Sequence, residues 1–289
     1  MKAAVIHHYG GPEELKYENM PDPVAGPGEV LVKVAAAGIN PIDIILRRGG
    51  PLQFPAILGW DVSGTVVKLG DGVGGLAVGE KVAARADHTY AELVTAKADL
   101  FVKVPDGLDL VDAAALPLVT VTGSELISEV ACVKAGNVVL VSGAIGAVGR
   151  SAVYTAKNIG ARVIAGVEKR QLDGAKHIGA DEVLALDDEA AFAAFPQVDI
   201  VANTLRGATA AELMQKVKSG GTFASATGEP SNAKDFPSVK VVAFHSKPDG
   251  EMLFLLMEAV RDKKLTIPID RRMPLRDAAA AQAALEKAA

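Results

Sequence analysis

Val138–Gly149 reads VVLVSGAIGAVG, and the fold turns on this stretch. Asn137–Ser142 is a nearly unbroken apolar run, as expected for a strand buried on both faces of a sheet. Gly143, Gly146 and Gly149 follow with the spacing G-x-x-G-x-x-G, a relative of the stricter G-x-G-x-x-G. Val148, Ala152, Val153, Ala156 and Ile159 then recur at helical spacing, and Gly160 supplies a stop. A strand, a glycine turn and a helix in that order are suited to a phosphate. One glycine allows the tight turn, another lets backbone N–H groups approach a diphosphate, and a third lets helix pack on strand. The helix N-terminus adds unpaired N–H groups and partial positive charge. Ser142, Gly143, Ala144, Ile145, Gly146, Ala147, Val148 and Gly149 are therefore the candidate cradle. Gly70–Gly75 (GDGVGG) is as rich in glycine, but no helix follows it, and it reads as a plain loop.

Downstream of the turn, strands and helices alternate. Strand-like runs at Arg162–Val167, Glu182–Leu186, Val198–Ala202 and Thr222–Ala226 are separated by helical spacing at Leu172–Ile178 and Ala208–Lys218. Such alternation predicts βαβ units and a parallel sheet with right-handed crossovers. Glu168 falls 25 residues past Gly143, near where a carboxylate would hold an adenosine ribose 2′-hydroxyl. Lys169 and Arg170 follow at once and suit a 2′-phosphate instead, so the choice between NADH and NADPH stays open here. Asn203 and Thr204 end a strand at its carboxyl edge, where ligands bind in open α/β sheets.

Upstream, residues 1–115 have another texture. Short β-branched runs (Ala3–Ile6, Glu29–Val34, Val62–Leu69, Lys81–Ala84, Leu93-Val94) are separated by Pro and Gly, which reads as a β-rich barrel or sandwich. Beyond 250, Glu251–Lys263 is amphipathic with Leu253, Leu256, Met257 and Val260 on one stripe, Ile267–Ile269 looks like a strand edge, and Asp277–Ala289 is an alanine-rich helix.

Of the 289 residues 49% are apolar and 22% charged, which excludes intrinsic disorder. No run reaches the roughly 18 apolar residues of a membrane span. The N-terminus has no apolar secretory core, so a cytoplasmic protein is expected. A net charge of −5 argues against a nucleic-acid surface. Cys132 stands alone, so no disulfide and no multi-cysteine zinc site is expected, and His7, His8, His88, His177 and His245 are scattered.

Four stretches carry a family resemblance. They are Gly28–Val34 with Ala37–Asp43 (AGINPID), Pro55–Gly64 (PAILGWDVSG), Gly79–Val82 (GEKV), and the glycine turn together with Gly179–Val183 (GADEV). In order and spacing the chain resembles the zinc-free medium-chain dehydrogenase/reductases of the quinone oxidoreductase (zeta-crystallin-like) type. The resemblance implies a GroES-like catalytic domain, residues 1–115 plus 251–289, interrupted by a Rossmann NAD(P)-binding domain at 116–250. It implies a doubly wound parallel sheet, a nicotinamide coenzyme in the cleft between domains, and reduction of quinones or α,β-unsaturated carbonyls with NADPH. Zinc-containing relatives carry a Cys and a His-Glu pair where this sequence has Asn40 and Trp60-Asp61, so no zinc is expected.

Without a Lewis acid, a hydrogen-bond donor must polarise the substrate carbonyl. Asn40 fits as that donor, or as a partner of the coenzyme amide, though Asn before Pro41 also suits a simple turn. Asp43 is placed to hold its loop, and Tyr90 (or His88, or water) to supply a proton. Thr122 matches a family threonine near the nicotinamide, but the usual Thr-Ala-Tyr reads Thr122-Gly123-Ser124, without the aromatic ring. His245 falls either near the nicotinamide or at the domain boundary. In relatives the preceding strand, Val239–Ala243, pairs with its twin across a dimer axis, so a homodimer is expected. Relatives also continue past the last helix with a Gly-Lys-hydrophobic strand, where this sequence reads Lys287-Ala288-Ala289; either that tail lies outside the sequence or the domain closes differently, and a missing strand would leave an unpaired sheet edge. Two further readings accompany the main one: an NADH-preferring alkene reductase, and a non-catalytic NADPH binder with a structural or regulatory role.

Overall fold

The punctuated first part of the chain folds, in the computed structural model, into short antiparallel strands; the structure describes residues 1–288, and the last residue of the expected C-terminal helix, Ala289, lies outside them. The strands are β1 (Lys2–Ile6), β2 (Lys16–Asn19), β3 (Glu29–Gly38), β4 (Ala56–Ile57), β5 (Asp61–Leu69), β6 (Lys81–Arg85), β7 (Leu93–Lys97) and β8 (Phe101–Lys103). They form one sheet in the order β2-β1-β4 and another in the order β7-β3-β5-β6-β8. Val30, Val32, Val62, Val66, Val82 and Val94 bury an aliphatic core under the larger sheet.

One helix interrupts these strands and a second follows them. α1 (Pro41–Arg48) is amphipathic but only eight residues long, and no helix was expected there from the sequence. It forms because its ends are built for it. Asn40 is the N-cap, Pro41 opens the first turn with its φ already fixed, Asp43 closes a capping box, and Arg47 and Arg48 face the negative helix end. α2 (Leu110–Ala113) is capped by Asp109, whose carboxylate accepts from the N–H groups of Val111 and Asp112, both at 3.0 Å.

The alternating part of the chain follows: α3 (Pro117–Glu125), β9 (Val138–Ser142), α4 (Ala147–Ile159), β10 (Arg162–Val167), α5 (Leu172–Ala175), β11 (Glu182–Ala185), α6 (Glu189–Ala194), β12 (Val198–Asn203), α7 (Gly207–Leu213), β13 (Val217–Ser225) and β14 (Lys240–Ala243). All strands in the sheet run parallel in the order β11-β10-β9-β12-β13-β14. The order reverses between β9 and β12, which is the switch point of a doubly wound sheet. Val139, Val141, Ala152, Val153 and Ala156 pack β9 against α4, so the apolar run is buried on both faces as expected.

Late in the chain come α8 (Gly250–Arg261) and α9 (Ala278–Ala288). Several readings are corrected. Ile267–Ile269 is irregular rather than a strand; Pro268 has no N–H to give to a ladder. The helix expected over Leu172–Ile178 is only α5 with a 3₁₀ turn before it, and Gly174 sits in its middle. The helix expected to reach Lys218 ends at Leu213, a 3₁₀ turn follows, and β13 begins earlier than its apolar run. α6 was not foreseen.

The chain divides into two compact units. One contains Met1–Leu118, Pro248–Asp262 and the residues from Pro268 on; the other contains Val119–Lys247 and Lys263–Ile267. Among the described residues no helix is long and apolar enough to cross a membrane.

Candidate active site

In the parallel-sheet unit, the glycine turn leaves β9 at its carboxyl end. Gly143 has φ +61°, a conformation L side chains avoid, and a side chain there would meet Thr204. At Gly149, inside the first turn of α4, a Cβ would overlap the Gly143 carbonyl oxygen and lie 2.7 Å from Ala144 Cα. At Gly146 a Cβ would lie 3.2 Å from the same oxygen. Gly143 thus makes the bend, Gly149 brings helix onto bend, and Gly146 keeps the entrance bare. Gly146 is also the N-cap of α4, and no side chain caps that end. The N–H groups of Ala147 and Val148 in the first turn are therefore not spent on a cap, which fits a diphosphate.

The floor of this cradle is a buried hydroxyl and amide network. Ser142 Oγ donates to Asn203 Oδ1 at 2.8 Å and accepts from the Thr204 N–H at 2.9 Å, while Thr204 Oγ1 donates to the Ser142 carbonyl at 2.7 Å. Asn203 Nδ2 donates to the Leu205 carbonyl at 2.8 Å and lies 3.1 Å from both Ser225 Oγ and Thr227 Oγ1. Ser142 and Asn203 are fully buried, so they brace the carboxyl ends of β9, β12 and β13.

At the end of β10, Glu168 caps a 3₁₀ turn and pairs with Arg170, while Lys169 Nζ lies 3.1 Å from Asp188. All three candidate specificity residues, Glu168, Lys169 and Arg170, are exposed. Thr122 lies half-buried in α3. Gly123, which stands where the family has alanine, has a packing reason. A Cβ at Gly123 would overlap the Val148 carbonyl and lie 2.7 Å from Ser151 Cβ, so α3 needs a glycine there to approach α4. Ser124 accepts a bond from Thr155 Oγ1 at 3.2 Å. His245 is exposed just past β14.

In the antiparallel unit, a buried polar cluster gathers at the start of α1. The Asn40 N–H donates to Asp43 Oδ2 at 2.8 Å, the Tyr90 hydroxyl donates to the same oxygen at 2.9 Å, and Asn40 Nδ2 donates to Asp61 Oδ2 at 2.8 Å. Asp61 Oδ1 accepts from the Leu118 N–H at 2.8 Å. Asp43 Oδ1 is buried without a partner among the described residues. Burial raises Asp43 to about 6 against the bonds from Asn40 and Tyr90, and raises Asp61 to about 7. Burial, and then the charge of Asp43, push Tyr90 well above 10. The sequence pointed to Asn40, Asp43 and Tyr90; it did not point to Asp61, whose acidic side chain within PAILGWDVSG was the available signal.

This cluster does not fit a zinc ion. Neither an Asn amide nor the Trp60 indole is a usual zinc donor, and each Asp61 oxygen already accepts a protein bond. Among the described residues no group of three His, Cys, Asp or Glu side chains is placed to hold a metal.

Residues 26–106 match the family model of the alcohol dehydrogenase GroES-like domain, and residues 178–289 match that of the zinc-binding dehydrogenases. A chloroplast envelope quinone oxidoreductase homolog of Arabidopsis thaliana is 31% identical, over 95% of this chain and 92% of that protein. The structure of a quinone oxidoreductase from Coxiella burnetii superposes with a TM-score of 0.91 at 30% identity, covering 99% of this chain and 96% of that one. A mycobacterial protein solved in complex with NADPH superposes with a TM-score of 0.84 at 31% identity, covering 99% and 97%.

Proposed function

The chain belongs to the quinone oxidoreductase group of the medium-chain dehydrogenase/reductase family and is an NAD(P)H-dependent oxidoreductase, and from that premise we propose that it reduces quinones or α,β-unsaturated carbonyls with NADPH and without a metal. The observation that carries this reading is the uncapped N-terminus of α4 behind a side-chain-free bend at Gly143–Gly149. Those residues would hold the diphosphate, with Thr122 and His245 as further candidates for contact with the coenzyme. When bound, the reduced coenzyme supplies a hydride. A quinone then takes up a proton and becomes a hydroquinone; an enone takes up a proton at its α-carbon and becomes a saturated ketone.

The chain's own contribution is positioning and charge stabilisation. Asn40 would donate from its amide to the substrate oxygen on which negative charge grows. One such donor is worth about 3 kcal/mol in the transition state. Asp43 and Tyr90 hold the turn that carries Asn40, and because the Tyr90 hydrogen is given to Asp43, the proton is assigned to water. NADPH is favoured because Lys169 and Arg170 stand at the end of β10 in exposed ion pairs, which water screens and which can be exchanged for a 2′-phosphate. The alternative, an NADH-preferring alkene reductase, rests on Glu168 in the same turn. Cys132 leaves no disulfide to protect, and a cytoplasmic location belongs to the proposal, as does a homodimer joined along β14, an edge strand paired on one side with β13.

The test is a binding titration of NADPH against NADH, followed by steady-state coenzyme oxidation with small quinones and enones. Tighter NADPH binding with turnover of either substrate class is expected. Binding without turnover across both classes would turn the reading to a non-catalytic NADPH binder.

A further inference from the structure

We infer that Asp61 is a positioning residue: its carboxylate fixes which end of the Asn40 carboxamide is presented to the substrate. The inference deepens the proposed function and rests on the role given there to Asn40. A carboxamide has two ends that differ only in hydrogen bonding, and its partners decide which way it faces. Asn40 is held from three directions. Its backbone N–H is bound by Asp43, its side chain joins the capping box at the start of α1, and one amide hydrogen is taken by Asp61 Oδ2 at 2.8 Å. An ionised carboxylate accepts only, so the nitrogen must face Asp61. The second amide hydrogen is then the group left to polarise a carbonyl. Asp61 is itself fixed, because its other oxygen accepts from Leu118 N–H at 2.8 Å.

The same geometry makes the arrangement depend on the charge of Asp61. Once protonated, Asp61 must place its new hydrogen; the backbone N–H of Leu118 cannot reverse and keeps Oδ1 an acceptor, so the hydrogen goes to Oδ2, which faces the Asn40 nitrogen. Two donors then oppose each other, and the carboxamide turns its oxygen toward Asp61. The groups facing Asp61 set where this happens. Asp43 on α1 opposes ionisation, and Arg85, its cross-strand partner on β6, favours it, while Tyr90 stays neutral through this range because burial and the charges of Asp43 and Asp61 hold its hydroxyl well above 10. β3 places Gly38 beside Asp61 and keeps Glu29 and Lys33 toward its other end. On α2, Asp109 caps its own turn and Asp112 is paired with Arg272; on α1, Arg47 is paired with Glu286. With burial dominant, Asp61 is raised to about 7.

Asp61→Asn keeps shape and removes the charge. Leu118 N–H claims the one remaining oxygen, the new amide donates toward Asn40, and Asn40 inverts. Single-turnover oxidation of pre-bound NADPH by a quinone or enone is expected to slow about 100-fold. The wild-type rate is expected to rise with pH toward neutrality and this acid limb to vanish in D61N, while NADPH affinity stays within twofold. Stability is expected to move the other way. A raised carboxyl gives a contribution that is complete below the unfolded value near 3.8 and lost as pH rises toward about 7, so D61N escapes a destabilisation the wild type carries at pH 8.

A second measurement needs neither the variant nor turnover. In wild-type protein labelled with ¹⁵N-asparagine, the Asn40 side-chain signals, assigned by their loss in Asn40→Ala, are expected to shift between pH 5 and 9 with one midpoint. A wild-type rate and pH profile in D61N, or Asn40 signals that ignore pH, would overturn the inference. If the wild type turns over neither substrate class, the functional reading fails by itself, and the Asn40 titration still decides the coupling to Asp61.

Discussion

Glu168 and Arg170 stand two residues apart and bind each other, so the sequence signals for NADH and for NADPH are one ion pair in the folded chain. A ribose 2′-hydroxyl would engage Glu168, whereas a 2′-phosphate would draw Arg170 and Lys169 away from their acidic partners. Glu168→Ala is therefore expected to weaken NADH binding several-fold while NADPH binding holds or tightens. Equal losses for the two coenzymes, measured by titration, would remove Glu168 from the ribose site. Asn40 illustrates a different limit of residue-level reading. Its place before Pro41 suggested either a turn or a donor, and it is an N-cap whose amide is also aimed by a distant carboxylate. Nothing local to Asn40 predicts that Asp61, 21 residues away, will be its partner.

At the scale of elements, the strand–turn–helix unit from β9 to α4 was fully legible, because each requirement leaves a mark in sequence. Burial on both faces demands an apolar run, the bend demands Gly143, helix packing demands Gly149, and the stop demands Gly160. α1 was harder to see because it is short: its apolar period spans barely two turns between Pro41 and Gly49, and its caps and the reach of Arg47 to Gln282 at 2.7 Å on α9 leave no further mark in the sequence. Ile267–Ile269 misled because β-branched composition suggests a strand where no neighbour offers a ladder. The glycines of the turn have separable roles, and substitutions at two of them should part stability from binding. Gly149→Ala forces a Cβ against backbone and is expected to cost about 1–3 kcal/mol of stability, read in a denaturant titration, together with NADPH affinity. Gly146→Ala is expected to cost less than about 1 kcal/mol of stability yet weaken NADPH about tenfold, since it narrows only the anion's approach. A Gly146→Ala protein that binds NADPH like the wild type would show that the diphosphate lies elsewhere.

For the whole molecule, the division of labour was visible as a change of texture. Short punctuated strands build the unit that holds Asn40, Asp43, Asp61 and Tyr90, and the alternating segment builds the unit that holds the cradle. The texture changes near 116 and again near 251; one compact unit takes the residues up to Leu118 and Pro248–Asp262, and Lys263–Ile267 belongs to the parallel-sheet unit. That last excursion was invisible because a short irregular segment carries no period. The central step is the proposed hydride transfer, and following it is the most direct measurement available. NADPH deuterated at C4 of the nicotinamide, incubated with the protein and a small enone, should give a ketone carrying deuterium at the β-carbon, with a primary isotope effect on single-turnover oxidation. Product formed without deuterium from either C4 position, or no product while NADPH is bound, would contradict the account.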